Sequence, residues 1–264
     1  MNEVGYINDL VSIISPTYNC GEFIAETIES VLAQTYSNWE MIIVDDCSMD
    51  NTRTVVESFN DPRVKYHCLK KNSGAAVARN TALKMAKGRW IAFLDCDDLW
   101  EPVKLEHQLR FMRENEYVFT CTNRDEIDKN SKPTGRYSTG PERITRLGMY
   151  CYCWPGCLTV MYDASVVGVI QIADLKKNND YAIWLKVIRF ADCYQLNENL
   201  AHWRQRKGSI SNTGYFKLIK WHYRLFREAE QMSIMRASFW TLCNLFFGVA
   251  KKILYVKKTR RIND

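Results

Sequence analysis

Asp95 and Asp97 form an Asp-x-Asp pair directly after the apolar run Trp90-Ile91-Ala92-Phe93-Leu94. Carboxylates two residues apart on a strand end point the same way and could share a hard divalent cation, Mg2+ or Mn2+, which prefers oxygen ligands. Two other clusters occupy comparable places. Asp45-Asp46 follows the apolar run Met41-Ile42-Ile43-Val44, and Arg79 lies early in the Ala-rich segment that begins at Gly74. A cation on the Asp pair, with Arg79 nearby, would neutralise a departing diphosphate. Tyr18, just past a first apolar run, offers a ring on which a base could stack. Each cluster alone has an ordinary use as a helix cap or a solvated charge. Their recurrence at successive strand ends is what points to a ligand.

The elements that must position these groups alternate. Leu10–Ser15, Met41–Val44, Val64–Leu69 and Trp90–Leu94 read as short buried strands, and Tyr117–Thr122 as a fifth. Helices are predicted between them. One follows Glu22, with Ile24, Ile28, Val31 and Leu32 on one face; others span Asn51–Phe59, Gly74–Lys87 and Pro102–Asn115. Strands separated by helices imply an α/β fold with a doubly wound, mostly parallel sheet, binding ligands at the carboxyl ends of its strands. Asp125–Pro155 reads as polar and irregular, with Lys132-Pro133-Thr134-Gly135 as an exposed turn. A strand is expected at Leu158–Tyr162, a helix at Asp180–Ala191, and helices from Tyr215 onward. The expected division is a ligand-binding half over 1–122, a second half of the same domain over 123–214, and C-terminal helices over 215–264.

The 264 residues are 47% hydrophobic and 12% aromatic, with 12 Gly and 6 Pro, which excludes disordered and collagen-like classes. There is no apolar run of 18 residues, and the first six residues do not resemble a secretory signal. The 10 cysteines are mostly scattered, and the cluster Cys151, Cys153, Cys157 lacks the spacing of a zinc ribbon or redox pair. Reduced thiols in the cytoplasm are expected. Residues 1–201 carry a net charge of −5 and residues 202–264 one of +11, so an anionic surface is the expected partner of the tail.

Four motifs in order carry a resemblance: Pro16-Thr17-Tyr18-Asn19, Val44-Asp45-Asp46-Cys47-Ser48, Asn72-Ser73-Gly74-Ala75-Ala76-Val77-Ala78-Arg79-Asn80 and Phe93-Leu94-Asp95-Cys96-Asp97-Asp98. The chain thereby resembles glycosyltransferase family 2, with the GT-A fold, over roughly residues 8–211. The resemblance implies that Pro16 and Tyr18 contact a nucleobase and that Asp46 bonds its uracil-like edge. Arg79 would lie against base and diphosphate, Asp95 would hold the ribose or support the metal, Asp97 would ligate it, and Asp98 would shape the site. Asp180 matches the family's catalytic base, with Asn179 replacing the usual Glu, although an acid there also suits the helix start. Arg204, Ser209 and Ser211 match a loop over the donor diphosphate, where Arg206 replaces a common His.

The resemblance implies an inverting transferase that moves a sugar from a nucleotide-diphosphate sugar to a saccharide acceptor. The donor is read as UDP-linked, with a thymidine-linked donor fitting the same contacts. It also implies bacterial surface-polysaccharide synthesis (O-antigen, capsule or exopolysaccharide), with the acceptor on a lipid carrier at the inner face of the cytoplasmic membrane. Two other readings stay open. A nucleotidyltransferase would show a Gly-rich phosphate loop where Pro16–Asn19 stands, and a non-catalytic nucleotide-sugar-binding or membrane-adaptor protein would not need Asp95, Asp97 and Asp180 together. Nucleic acid is not expected as a partner, because the tail has no recognisable module for it. Between Ser238 and Tyr255 the small or polar positions Ser238, Thr241, Asn244, Gly248, Lys251, Lys252 and Tyr255 form one narrow helical stripe, and the remaining surface is apolar. Residues 239–261 are therefore expected to lie in a membrane plane, with Lys251, Lys252, Lys257, Lys258, Arg260 and Arg261 near anionic headgroups; a helix packed on the body is the alternative.

Overall fold

Val11, Ile13, Met41 and Ile43 point to one side of a pleated sheet, and their neighbours Ile14, Ile42 and Val44 to the other; all seven are fully buried. Two-sided burial needs helices on both faces, and the computed structural model, which describes residues 5–172, 175–206 and 215–258, supplies them. The first half runs β1 (Ile7–Thr17), α1 (Ile24–Leu32), β2 (Trp39–Asp45), α2 (Thr52–Glu57), β3 (Val64–Cys68), α3 (Ala75–Met85) and β4 (Gly88–Phe93). There follow β5 (Leu99–Trp100), α4 (Lys104–Glu114), β6 (Phe119–Ile127), β7 (Pro133–Ser138), β8 (Arg143–Ile144), α5 (Arg146–Cys151), a 3-10 turn at Cys157–Thr159, β9 (Met161–Asp163) and α6 (Ala164–Val167). The chain closes with α7 (Asn179–Val187), β10 (Cys193–Arg204), α8 (Tyr215–Arg224), a π-helical turn at Leu225–Ala229, α9 (Ile234–Leu254) and β11 (Val256–Lys258).

The sheet order is β11-β7-β6-β9-β4-β1-β2-β3. β3, β2, β1 and β4 are mutually parallel, the doubly wound half expected from the sequence. Leu105, Leu109 and Met112 of α4 and Ile24, Ile28 and Val31 of α1 cover one face. Ala78, Ala82 and Leu83 of α3 and Ile183, Trp184 and Val187 of α7 cover the other. Gly88 is required where β4 begins, because a Cβ there would lie 2.4 Å from the Leu10 carbonyl oxygen.

The second half departs from the sequence reading. The segment read as irregular, Asp125–Pro155, contains the end of β6, then β7, β8 and α5. β7 lies between β11 and β6 with all its side chains at least partly exposed, so it has no apolar alternation to betray it. The strand expected at Leu158–Tyr162 is a 3-10 turn followed by the short β9. β10, not foreseen as a strand, pairs parallel with β6 from Cys193 to Arg204; its Asn197-Glu198-Asn199 stretch interrupts the apolar pattern, with a register shift on either side of the Asn199 pairing.

The C-terminal helix inverts the usual amphipathic order. Thr241, Asn244 and Lys251 of α9 are buried, whereas Met235, Phe239, Leu242, Phe246, Val249 and Ile253 are exposed. Asn244 Nδ2 donates to the Tyr150 carbonyl at 2.8 Å, and Gly248 lies against the Tyr152 ring. The helix thus packs on the body, as the alternative expected, but through its polar stripe. Lys251 is corrected accordingly: its ammonium donates inward to the Trp154 carbonyl at 2.6 Å and does not face headgroups. Arg260 and Arg261 lie outside the described residues.

Candidate active site

The carboxyl ends of β1, β2 and β4 deliver the donor-side residues to one edge. Pro16 is buried at the end of β1, and Tyr18 follows it, 45% exposed and free to stack. Asp46 is buried just past β2, where its two carboxylate oxygens accept the Ser73 and Gly74 amides at 2.6 and 2.7 Å. Gly74 sits at φ +93°, a conformation glycine adopts without steric cost, so both amides turn toward Asp46. Asp46 thereby ties the second motif to the third and fixes the start of α3.

Arg79 of α3 is nearly fully buried. One guanidinium nitrogen donates to Asn179 Oδ1, and another donates to Asp95 Oδ1 at 2.8 Å and lies 3.7 Å from the Cys157 sulfur. Asp95, from the end of β4, is thus joined through Arg79 to the first residue of α7, directly before Asp180. Burial works against the Arg79 charge, but the surrounding acids Cys157, Asp95 and Asp180 strengthen its hold on its proton. Arg79, expected to lie against base and diphosphate, here bonds Asp95 and Asn179. The Asn that replaces the usual Glu accepts a hydrogen bond from this cation without adding a charge.

Asp180 stands in the first turn of α7. It is not the cap of that helix, because Asn178 precedes it at φ +58°. Burial raises the Asp180 carboxyl above the ordinary aspartate range; Arg79 and the amides of Tyr181 and of Asp180 itself pull it back. A partly desolvated carboxylate with raised proton affinity suits a general base.

Asp97 Oδ2 accepts from Arg206 Nε at 2.6 Å. Burial raises the Asp97 carboxyl, Arg206 lowers it, and Asp95 raises it further. Asp98 is buried beside them, its proton affinity strongly raised by burial and by Asp97 and Asp95, and it accepts the Arg204 amide at 2.9 Å. Three adjacent carboxyls of this kind repel one another. Asp95 meets Arg79 through Oδ1 and Asp97 meets Arg206 through Oδ2, and two carboxylates at one turn are a donor set of the kind a divalent cation takes. Among the described residues no group of three or more His, Cys, Asp or Glu could hold a metal alone. The donor set is one or two carboxylates, with phosphate oxygens and water left to complete it, the pattern usual for Mg2+ at phosphate sites.

Arg204 also departs from expectation. Its guanidinium is fully buried, donating from Nε to the Asp97 carbonyl at 2.7 Å, from Nη1 to Ser131 Oγ at 2.8 Å and from Nη2 to Glu26 at 2.9 Å. In this structure it braces the Asp-x-Asp turn through the Asp97 carbonyl. Glu26 and Ser131, missed in the sequence, complete this brace. Arg206 is partly exposed beside Asp97. Ser209 and Ser211 lie outside the described residues.

The family model described as glycosyl transferase family 2 matches residues 12–164. The chain is 40% identical to a putative teichuronic acid biosynthesis glycosyltransferase, TuaG, of Bacillus subtilis (strain 168), over 93% of this chain and 98% of the relative. It is 36% identical to WfgD of Escherichia coli, a UDP-Glc:alpha-D-GlcNAc-diphosphoundecaprenol beta-1,3-glucosyltransferase, over 96% and 98% of the two chains. The fold is shared with S. aureus TarS 1-349, solved with UDP-GlcNAc, at a TM-score of 0.68 and 24% identity, covering 86% of this chain and 69% of that one.

Proposed function

The chain belongs to glycosyltransferase family 2, and from that membership we propose that it transfers a sugar from a UDP-sugar, with inversion, to a saccharide on a lipid-linked diphosphate during bacterial surface-polysaccharide synthesis. The observation that carries this reading is the Asp95–Arg79–Asn179 connection, which ties the residue before the candidate base Asp180 to the Asp-x-Asp turn. The relatives' names support the acceptor class: one acts on an α-D-GlcNAc-diphosphoundecaprenol, and another belongs to teichuronic acid synthesis.

Tyr18 stacks on the base and Asp46 meets its polar edge. Asp97, with Asp95 beside it, would hold a divalent cation, which when bound neutralises charge on the departing diphosphate. Arg206 adds a fixed positive charge at the same place. Asp180 orients the acceptor hydroxyl and takes its proton as the oxygen attacks the anomeric carbon from the face opposite the leaving diphosphate. One displacement of this kind inverts the centre.

The outward apolar stripe of α9, with Lys252, Lys257 and Lys258 near its end, seats the enzyme on an anionic bilayer at the inner face of the cytoplasmic membrane. Among the described residues no helix is long and apolar enough to cross a membrane. The test is UDP release by purified protein over a panel of UDP- and dTDP-sugars, with and without a GlcNAc-diphospholipid and with and without Mg2+ or Mn2+. Acceptor-dependent UDP release supports the reading; no release with any donor overturns it.

A further inference from the structure

Arg124 stands just past the middle of β6, partly buried. Its guanidinium forms neither a hydrogen bond nor an ion pair with another described residue. Its guanidinium carbon sits 5.3 Å over the Trp203 ring, and a Cβ added at Gly156 would meet its Nη1 at 2.4 Å. The guanidinium is therefore seated against the Tyr152–Gly156 segment. Lys251, from the inner stripe of α9, reaches the same segment: its Nζ bonds the Trp154 carbonyl at 2.6 Å and lies 5.2 Å from the centre of the Tyr152 ring. Burial, with Arg124 nearby, brings the Lys251 ammonium down to about 8. Two cations that disfavour each other, neither of them hydrogen-bonded to a carboxylate among the described residues, are stabilised when an anion joins them. Arg124 also lowers the proton affinity of the buried Asp98 carboxyl, so the pair lies within electrostatic range of the Asp-x-Asp turn.

We propose that Arg124 and Lys251 form an anion subsite for the diphosphate of the acceptor, an inference that rests on the acceptor class proposed above. The placement explains why α9 carries a lysine on its buried face. Val249 and Ile253, flanking Lys251 along the helix, are exposed on the opposite side. With that outer face in the acyl boundary, the inner lysine lies at headgroup depth, where the diphosphate of a lipid-linked sugar emerges. The sugar beyond it then extends toward Asp180.

Arg124→Met is the primary variant, since a partly exposed side chain is replaced; Lys251→Met is the second. The first readout is binding of inorganic pyrophosphate to protein already saturated with UDP, followed by the fluorescence of Trp203 and Trp154. Affinity should fall about tenfold or more in Arg124→Met, as for loss of one charge-assisted hydrogen bond. The second readout is the ratio of kcat/KM for a GlcNAc-diphospholipid over that for a phosphate-free alkyl GlcNAc, which should fall by a similar factor through KM. Equal pyrophosphate affinity in wild type and both variants overturns the subsite. Weakened pyrophosphate binding in a protein that transfers to neither acceptor overturns the proposed function and leaves the anion site standing. If Arg124→Met lowers binding to phosphatidylglycerol vesicles while the acceptor ratio stays fixed, the cations serve a lipid headgroup, and the acceptor assignment is wrong.

Discussion

Replacing Leu242 and Phe246 by Glu removes two apolar groups from the centre of the outward face of α9. Phe246 is 70% exposed and Leu242 66% exposed, so about two thirds of each side chain remains to be buried by a bilayer. Full burial of such a side chain is worth about 1.5–3 kcal/mol, which leaves about 1–2 kcal/mol for each. The pair should weaken partitioning by about 2–4 kcal/mol, a factor of roughly 30 to 1,000, before any cost of inserting the new charges. Neither side chain packs in the protein core, so folding stability should move by less than about 0.5 kcal/mol. Sedimentation with phosphatidylglycerol vesicles measures the partitioning, and a thermal melt checks the fold. The measurement is best made at high salt, where the attraction of Lys252, Lys257 and Lys258 to headgroups is screened and the apolar contribution is not. Unchanged sedimentation in a variant with an unchanged melt would refute the membrane assignment of this face.

The remaining predictions concern the cleft and its supports. Asp180→Asn should lower kcat by about 100-fold or more while leaving UDP binding, measured by calorimetry, near wild type; retained turnover removes Asp180 as the base. Burial raises the carboxyls of Asp180 and Asp97, and both act in their charged forms, so activity should fall on acidification at a pH above the ordinary aspartate range; an acid limb in the pH–rate profile no higher than about 3.9 contradicts this. Arg204→Met removes the buried brace behind Asp97 and should cost about 3 kcal/mol, seen as a Tm lowered by roughly 6–12 °C; an unchanged Tm contradicts the bracing role.

The parallel half of the fold was legible because its strands are buried on both faces and read as continuous apolar runs between amphipathic helices. The donor edge was legible for the same reason: Asp46, Asp95 and Asp97 fall directly after those runs. What the residue types do not disclose is direction. Arg79 and Arg204 look like diphosphate ligands, yet each finds nearer acceptors in its own chain, Asp95 and Asn179 for one and the Asp97 carbonyl with Glu26 and Ser131 for the other. Those partners are 16 to 178 residues away, beyond the reach of local pattern. β7 and β10 were hidden by polar composition, β10 by its irregular pairing as well. Arg124 carried a usable signal, since it follows the Tyr117–Thr122 run as Asp46 follows its own. The polar stripe of α9 was visible as periodicity, but only the contacts with Tyr150, Tyr152 and Trp154 reveal that it faces inward.

The most direct test of the central claim is the anomeric configuration of the product. The α-linked UDP-sugar that supports acceptor-dependent UDP release is incubated with the protein and a GlcNAc-diphospholipid, and the new linkage is read from the coupling of its anomeric proton in NMR. Single displacement with Asp180 as base predicts a β-linked product formed in step with released UDP, and no product from Asp180→Asn. An α-linked product, or product formed at the wild-type rate by Asp180→Asn, would contradict the account.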